Sequence, residues 1–341
     1  MGKRMTLAAS ASSLTAALLF FSVSGCKKTP VGPIEPKDPR TYTWTIDTLD
    51  YPGSAQTIMQ SIWGSSPSDV YVVGHNDGGY GKMYHYNGKT WTPVVLYFPD
   101  RRGNAAIDLG DIYGFASNDA WAVGERILDN PHPPPNFLDS SLIIHFDGTK
   151  WVEHHVSNGR LLQTVWGSAP NDVWTGGLAG TFFHYDGLKW TKVPMDTNDS
   201  YRSLTGFGPN DVYLMDIRGL MHYDGNAWRL IDSVQSIYQI GVVGRELFAL
   251  EYGIWNWDNG IWNQELVTDW PMQGIFGSSQ TNIFAVGQGS LIYYYDGNTW
   301  TQLRNIVGDG WWLHKVWCTQ NEVFIVGHDY GGFKTIILHG K

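Results

Sequence analysis

Cysteine, basic charge and long apolar runs are all scarce in this sequence of 341 residues. The only cysteines are Cys26 and Cys318, and no C-x-x-C pair exists. Lys and Arg number 23 against 32 Asp and Glu, which gives a formal net charge of −9 with no basic stripe and disfavours nucleic acid as a partner. The sequence also lacks G-x-S-x-G, phosphate-loop and H-E-x-x-H motifs, so no common catalytic signature is present.

The first 25 residues have the pattern of a signal peptide. Lys3 and Arg4 form a charged start, and the apolar run Leu14–Val23 is too short for a typical membrane-spanning helix. The tetrapeptide Val23-Ser24-Gly25-Cys26 resembles the lipobox of bacterial lipoprotein signal peptides. The resemblance implies that Cys26 is acylated and becomes the mature N-terminus; the alternative is an ordinary secretory signal with a chance cysteine. Acyl chains, at about 0.8 kcal/mol per buried CH₂, would anchor the protein to a membrane.

The segment after Cys26 predicts a tether over residues 26–41. Lys27-Lys28 contain no Asp, a residue that in this place resembles an inner-membrane retention signal, so we expect the outer membrane or the cell surface. Thr29–Arg40 holds four prolines and alternating charges, which are typical of an extended linker. With Cys26 lipidated, Cys318 has no partner, and stability must come from packing. Cys318 replaces a glycine of the other repeats, which favours a small buried residue.

One stretch, Thr164–Val193, has the pattern of four short strands separated by turn signals. Asp186-Gly187 is a strong hairpin signal, and Trp190 opens the returning strand. Four antiparallel strands in roughly 40 residues are typical of one blade of a β-propeller.

The same pattern recurs seven times, which predicts an all-β, seven-bladed propeller over residues 42–341. The hairpin tryptophan recurs in six copies: Trp91, Trp151, Trp190, Trp228, Trp262 and Trp300. The seventh copy has no fourth strand after Ile336–Lys341, whereas Tyr42–Leu49 has fourth-strand character with no strands before it. We therefore expect Tyr42–Leu49 to pair into the last blade and close the ring. The fifth copy, Ser236–Leu266, departs furthest from the consensus.

Copies such as WGSSPSDVYVVG (63–74) and WGSAPNDVWTGG (166–177) resemble the W-G-S-x-x-N-D-V-W-x-V-G repeats of bacterial secreted β-propeller lipoproteins. The hairpins are more distantly similar to the Asp-box of sialidase-like propellers, in which a residue separates Asp from Gly. The resemblance covers the whole mature domain and implies the fold, with no particular ligand.

Some polar residues recur at one position of several blades and resemble the members of one site, but the geometry of a ring places them far apart. His85, His145, His184 and His222 hold one equivalent position in four blades, too far apart for the ~2.0–2.1 Å bonds of one metal ion. We expect these histidines to bond neighbouring strands or turns, and Asp69, Asp119, Asp172 and Asp211 to bond their own turns. No metal site and no cofactor is predicted.

Propeller topology separates two faces. The turn face carries the turns between strands 1 and 2 and between strands 3 and 4 of each blade. The loop face carries the 2–3 loops and the crossings between blades, which are the irregular segments Leu96–Gly110, Arg126–Ser140, Met195–Arg202, Thr268–Gln273, Ile306–His314, His75–Lys82 and His328–Lys334. Binding surfaces are usually built from such loops.

The loop face is rich in aromatic residues, including Tyr97 and Phe98, which suit sugar rings or protein partners. The candidate ligand-binding residues are Trp270, Trp311, Trp312, Tyr201, Arg202, Tyr80 and Tyr330. The alternative for Trp311 or Trp312 is packing between blades.

One substitution pattern suggests catalysis. The residue that ends strand 2 is Gly in five copies but Asp216 and Glu251 in the fourth and fifth. Two carboxylates about 5–9.5 Å apart at the channel mouth would suit glycosidic chemistry, with Arg202 and Arg218 orienting the substrate.

These observations favour a lipid-anchored, monomeric, non-catalytic module that binds a glycan or an envelope protein through its loop face. The alternatives are a carbohydrate-active enzyme, glycosidase or glycosyltransferase-like, that uses Asp216 and Glu251, and an envelope-assembly scaffold.

Overall fold

The computed structural model describes residues 37–77, 82–100, 103–104, 106–129, 137–156, 159–195, 199–233, 236–304, 306, 310–331 and 333–341. Cys26, Tyr80 and the centre of the 126–140 insert lie outside the described residues.

Seven four-stranded antiparallel sheets form a ring, as the repeat predicts. Strand 1 of each blade contacts strand 1 of both neighbouring blades, so these strands surround the central channel. In chain order the blades are as follows: blade 1, Thr57–Ser66, Asp69–Asn76, Met83–Tyr86 and Trp91–Pro93; blade 2, Ala106–Ala116, Asp119–Asp129, Phe137–Phe146 and Trp151–Glu153; blade 3, Leu162–Ala169, Asp172–Gly177, Phe182–Tyr185 and Trp190–Lys192; blade 4, Ser203–Gly208, Asp211–Asp216, Gly219–Tyr223 and Trp228–Asp232; blade 5, Gln239–Val243, Glu246–Glu251, Gly253–Asp258 and Ile261–Val267; blade 6, Met272–Ser279, Asn282–Gly287, Ile292–Tyr295 and Trp300–Gln302; blade 7, Trp312–Cys318, Val323–His328, Thr335–Gly340 and Trp44–Leu49.

Blade 7 takes its outermost strand from the N-terminal side of the chain, and this confirms the predicted closure. Trp44–Leu49 pairs antiparallel with Thr335–Gly340, from Trp44 opposite Gly340 to Leu49 opposite Thr335. The single turn of 3₁₀-helix at Pro39–Thr41 precedes this strand. The fifth copy, despite its divergent sequence, forms a complete blade.

The Trp-Gly pair of the repeat joins one blade to the next. A Cβ on Gly114 of blade 2 would lie 2.6 Å from the Trp63 ring of blade 1, and a Cβ on Gly206 of blade 4 would lie 2.7 Å from the Trp166 ring of blade 3. Only glycine leaves room for the neighbouring indole at these places. Repetition of Trp-Gly therefore reflects packing between blades.

The apolar core is divided into seven clusters, one between each pair of neighbouring blades. Cys318 lies in the cluster between blades 6 and 7, where burial raises the pKa of its thiol to about 12. This confirms that Cys318 is a packing residue.

The 3–4 hairpins are tight, but most of them are not the type I′ turn that an Asp-Gly pair favours, in which both central residues have positive φ. In the 3–4 turn of blade 3 only Gly187 has positive φ (87°), and the Asp186 carboxylate accepts hydrogen bonds from the amides of Leu188 and Lys189, both at 2.9 Å. Asp can close this four-residue turn with its side chain, so the second positive φ is unnecessary. Among the described 3–4 turns, that of blade 5 alone has two consecutive positive φ values, Asn259 at 50° and Gly260 at 86°.

The repeated histidines and aspartates form pairs inside each blade. In blade 3 the His184 Nε2 atom lies 2.6 Å from the Asp172 Oδ1 atom, and the imidazole stacks on Trp174 at 3.8 Å between ring centroids. Equivalent pairs are His85 with Asp69, His145 with Asp119, His222 with Asp211, and His339 with Glu322. The structural interpretation of both sets is confirmed, and each histidine joins strand 3 to the 1–2 turn.

The 126–140 insert begins and ends as a continuation of blade 2, where Asp129 still pairs with Phe137. At its base the Arg126 guanidinium lies 2.9 Å from both Glu153 carboxylate oxygens.

The described residues contain no helix with the length and apolarity needed to cross a bilayer.

Candidate functional site

Strand 1 of five blades carries a β-bulge near the loop face. In blade 2 the register passes from Leu109 opposite Gly124 to Asp111 opposite Val123, so that Gly110 is an extra residue. Equivalent shifts leave extra residues at Gln60, Gln163, Gln273 and His314. A bulge turns the extra residue away from the regular ladder, and here it places that residue at the mouth of the central channel.

The bulge explains why strand 2 ends in glycine in these five blades. A Cβ on Gly124 would lie 1.9 Å from the Asp108 carbonyl oxygen, and a Cβ on Gly177 would lie 1.9 Å from the Leu161 carbonyl oxygen. Blades 4 and 5 have no register shift at this place, so the steric requirement is absent there. The exchange of glycine for Asp216 and Glu251 thus follows from backbone geometry.

Asp216 does not point into the channel mouth, and the sequence expectation for this residue is wrong. Its side chain is 0% exposed and lies 2.7 Å from the Arg218 Nη2 atom. The same carboxylate accepts hydrogen bonds from the backbone amides of Arg218 and Gly219, at 2.7 and 3.2 Å. Glu251 is half-buried at the end of its strand, and neither carboxylate lines the channel mouth. Asp216 therefore closes the 2–3 turn of its own blade.

The mouth of the channel on the loop face is a depression of about 420 Å³, which we call the central depression. Its lining is mainly polar, and it comes from all seven blades: Gln60, His75, Asp108, Leu109, Gly110, Glu125, Leu161, Gln163, Arg202, Tyr238, Gln239, Gln273, His314 and Lys315. Four of these side chains are glutamine amides, which donate and accept hydrogen bonds at once. The central depression therefore suits a ligand rich in hydroxyl or amide groups.

Two residues of the central depression have unused hydrogen-bonding capacity. The Gln163 Oε1 atom is buried and accepts no hydrogen bond from any described residue. The Arg202 guanidinium is exposed, and no described residue forms an ion pair with it. A buried acceptor without a donor costs about 1–3 kcal/mol, which a ligand that donates a hydrogen bond to it would recover. By contrast, the Asp108 carboxylate is already paired with the Lys82 Nζ atom at 2.8 Å.

Three histidines lie on the blade 7 and blade 1 side of the central depression. The His314 Nε2 atom is 2.7 Å from the His328 Nδ1 atom. Burial, together with the charges of His328 and His75, lowers the pKa of His314 to about 3. Burial also lowers the pKa of His75 and of His328. All three imidazoles are therefore neutral near pH 7, and none is an acid at that pH.

Exposed aromatic side chains of blades 5 to 7 lie on the loop face, and one of them, Tyr238, also lines the central depression. We call this set the aromatic arc; its members and exposed fractions are Tyr238 43%, Tyr252 49%, Trp270 52%, Trp312 36% and Tyr330 76%. Trp312 lies 6.2 Å from Tyr330 between ring centroids. One face of Trp270 packs on Gly289, where a Cβ would be 2.6 Å from the indole. The arc offers flat apolar surfaces beside polar side chains, as binding sites for sugars and proteins often do.

The structure divides the predicted ligand-binding aromatics into two groups. Trp270, Trp312 and Tyr330 are exposed, as expected. Tyr201 is 0% exposed and packs at a tilt against Phe182, 5.4 Å between ring centroids, so its expected exposure is wrong. Trp311 packs against the core between blades 6 and 7, which is the alternative considered for it, and Phe98 is also buried. The crossings of this face fold back on the blades and bury these rings.

An ion pair narrows the channel below the central depression. The Lys315 Nζ atom lies 2.7 Å from the Asp111 Oδ1 atom, and the Ser61 hydroxyl donates to the same oxygen at 2.6 Å. Beyond it, toward the turn face, a second cavity of about 600 Å³ is lined by the strand 1 aromatics and glycines. Lys315 and Gln239 line both cavities. The ion pair thus forms the floor of the central depression.

Sequence reasoning identified Arg202 but missed the glutamines. In blades 1, 3 and 6 the residue three places before the aromatic residue of strand 1 is a glutamine, namely Gln60, Gln163 and Gln273. The equivalent residues of the other four blades are Gly110, Arg202, Tyr238 and His314. The glutamines could have been found from this pattern, because this one repeat position varies in polarity between copies whereas the positions near it repeat. Among the described residues, no group of three His, Cys, Asp or Glu side chains is arranged to hold a metal ion.

Neither a protein-family model nor a curated protein matches this sequence. Among solved structures, one described as YCF48 bound to D1 peptide is similar, with a TM-score of 0.64 and 14% identity over 89% of this chain and 97% of that chain. The WD40 propeller domain of Doa1 gives a TM-score of 0.60 and 11% identity over 88% and 97% of the two chains. The GH74 enzyme of Niastella koreensis gives 0.54 and 14%, over 80% of this chain and 51% of that chain. At these identities the likeness shows the β-propeller fold.

Proposed function

We propose that this protein is a lipid-anchored binding module of a bacterial cell envelope, which holds a glycan or a protein segment on its loop face and catalyses no reaction. The central depression carries this proposal. It is the place where the seven repeats differ, because the repeat position that forms the bulge in five blades holds glutamine, glycine or histidine there, and arginine or tyrosine in the two blades without a bulge. The other repeated residues are used for turns and for packing between blades.

The chemistry of the central depression favours binding over catalysis. Its amides can form hydrogen bonds with hydroxyl or peptide groups. The Gln163 Oε1 atom and the Arg202 guanidinium have no such partner among the described residues, so both are available to a ligand. The carboxylate with the best claim to catalysis, Asp216, is held by Arg218 and two backbone amides. Of the similar propellers, one is described as bound to a peptide and another as a GH74 enzyme. These descriptions are consistent with both ligand classes.

The lipid anchor and the envelope location are supported by the sequence at Val23-Ser24-Gly25-Cys26 and by the proline-rich segment after it. An anchored binding module needs no cofactor, and we expect a monomer.

The test uses the full-length chain in detergent, presented to a glycan array and to an array of extended peptides. Gln163→Ala and Arg202→Ala should each weaken binding to the ligands that are found, by about 1 kcal/mol or more. Two matched controls lie outside the central depression, both at exposed positions: Gln264→Ala on the outermost strand of blade 5, and Arg245→Ala in the 1–2 turn of blade 5 on the turn face. Equal binding by all four variants would contradict the proposal. So would the absence of binding by the wild type and every variant on both arrays.

A further inference from the structure

The described chain enters the propeller on the turn face. The Lys37 backbone amide donates to the Asn321 Oδ1 atom at 3.3 Å, and the Lys37 Nζ atom donates to the Lys341 carbonyl at 2.9 Å. Asn321 belongs to the 1–2 turn of blade 7, and Lys341 follows the end of its strand 3, opposite the start of strand 2. Both places are on the turn face.

A second set of contacts fixes the next few residues on the same face. The Arg40 Nη1 atom lies 3.1 Å from an Asp296 carboxylate oxygen, in the 3–4 turn of blade 6, and its guanidinium lies over the Tyr294 ring at 5.8 Å. Thr43 and Lys341 exchange two backbone hydrogen bonds, at 2.9 and 3.1 Å. Tyr42 is buried between blades 6 and 7. The entry point is therefore held by several contacts.

The central depression and the aromatic arc lie on the opposite face. The strands of blade 7, beside the entry point, have six or seven residues, and at about 3.3 Å per residue the two faces are roughly 20 Å apart there. Ten residues separate Cys26 from Lys37, and the three prolines among them favour an extended form. At about 3.1 Å per residue such a segment reaches roughly 31 Å. To bring the loop face to the lipid, about two thirds of this reach would have to be spent along the side of the propeller, whereas the turn face needs none of it.

Given the lipid anchor of the proposed function, on which this inference rests, we infer that the turn face is directed toward the membrane and the loop face away from it. The ligand is then a polymer or protein that approaches from the aqueous side. A partner embedded in the same leaflet, as an assembly scaffold for membrane proteins would need, lies on the wrong side of the ring. This orientation therefore favours ligands on the aqueous side over partners within the membrane.

Four single-cysteine variants test this orientation: Asn298→Cys and Leu188→Cys in 3–4 turns of blades 6 and 3, and Tyr330→Cys and Ile217→Cys in 2–3 loops of blades 7 and 4. All four positions are exposed, and each face has one position near the tether and one on the far side of the ring. Each lipidated, full-length variant is labelled with a short fluorophore, reconstituted into phosphatidylcholine vesicles, and quenched by head-group nitroxide lipids. Cys318 is buried and should not react.

We expect both turn-face labels to be quenched at least twofold more than both loop-face labels. Equal quenching, a reversed order, or quenching of Asn298→Cys alone would overturn the inference, because the ring would then be free, inverted or on its edge. Flotation of the vesicles is measured first, with Cys26→Ser as the unanchored control. A wild-type chain that does not float would overturn the anchor and this inference together, whereas a floating chain with unordered quenching would overturn the inference alone.

Discussion

Lys315 of blade 7 and Asp111 of blade 2 form an ion pair across blade 1, with 2.7 Å between Nζ and Oδ1. The Asp111 side chain is 3% exposed and the Lys315 side chain 30%. Asp111 also accepts from the Val165 amide of blade 3 at 3.0 Å. One carboxylate thus joins strand 1 of blades 1, 2, 3 and 7, and aspartate and lysine each occur in a single blade at this repeat position.

Loss of the lysine should destabilise the ring. In Lys315→Met the Asp111 carboxylate stays buried without its cation, and we expect the free energy of unfolding to fall by about 3 kcal/mol. The double variant Asp111→Asn with Lys315→Met should recover part of this loss, because no unpaired charge remains. Denaturant titration of the three variants gives both values. The exposed pair of Lys334 and Asp50 is the control, since Lys334→Met should cost less than about 1 kcal/mol.

The glycines opposite the bulges should not tolerate a methyl group. Gly124→Ala places Cβ 1.9 Å from the Asp108 carbonyl oxygen, so the strand must shift or the bulge must be lost. We expect a loss of about 3 kcal/mol in stability and weaker ligand binding, because the bulge shapes the mouth of the channel. Gly208→Ala is the matched control, since nothing lies within 4 Å of its added Cβ. Similar melting temperatures for the two variants would mean that the bulge does not require glycine.

The N-terminal strand should be necessary for a closed ring. Deletion of residues 42–49 exposes the strand Thr335–Gly340 as an unpaired edge and removes the buried side chains of Tyr42 and Leu49. We expect aggregation in light scattering and a large fall in melting temperature. Deletion of residues 27–36 shortens only the tether and should leave the melting temperature unchanged. A 42–49 deletion that melts like the wild type would show that this strand does not stabilise the ring.

Stability should fall in mild acid because of His314. Its pKa is lowered from 6.5 to about 3 in the folded protein, mainly by burial. The unfolded chain therefore takes up a proton below about pH 6.5 that the folded chain refuses. This contribution is complete above pH 6.5 and is lost as the pH falls from there toward 3.

The prediction is tested by urea titrations at pH 7.5 and 5. We expect the wild type to lose on the order of 1 kcal/mol more than His314→Gln over this interval. His155→Gln is the control, because the His155 side chain is 81% exposed. Identical losses in wild type and His314→Gln would show that another group governs acid sensitivity.

The fold could be predicted from the sequence because each blade repeats the same local signals. The turns, the hairpin tryptophans and the Trp-Gly pairs all act within one blade or between neighbours, so each copy confirms the others. The unpaired strand character of Tyr42–Leu49 was enough to predict closure. The structural role of the histidines followed from their equivalence alone.

The candidate site was predicted less well, for physical reasons. Tyr201 and Phe98 stand in segments with no periodic pattern, and nothing in such a segment tells which rings fold back onto the blades. Asp216 differs from its glycine equivalents because strand 1 of blade 4 lacks the bulge that requires glycine, and only the strand register reveals this. The ion pair of Lys315 with Asp111 spans 204 residues of sequence and has no local signal.

The closing strand has a mechanical consequence. Any pull on the segment before Lys37 acts at the Trp44 end of a strand whose six residue pairs with Thr335–Gly340 lie side by side. Antiparallel hydrogen bonds run perpendicular to the strands, so a force along the strand loads all of them together in shear. They cannot be opened one at a time from that end, as they would be in a hairpin pulled apart by its tips. When drag acts on the ligand of a propeller tethered in this way, the force loads the pairing of Trp44–Leu49 with Thr335–Gly340 in shear, which is its strongest direction. Single-molecule extension from residue 37 should therefore show one high-force event when blade 7 opens.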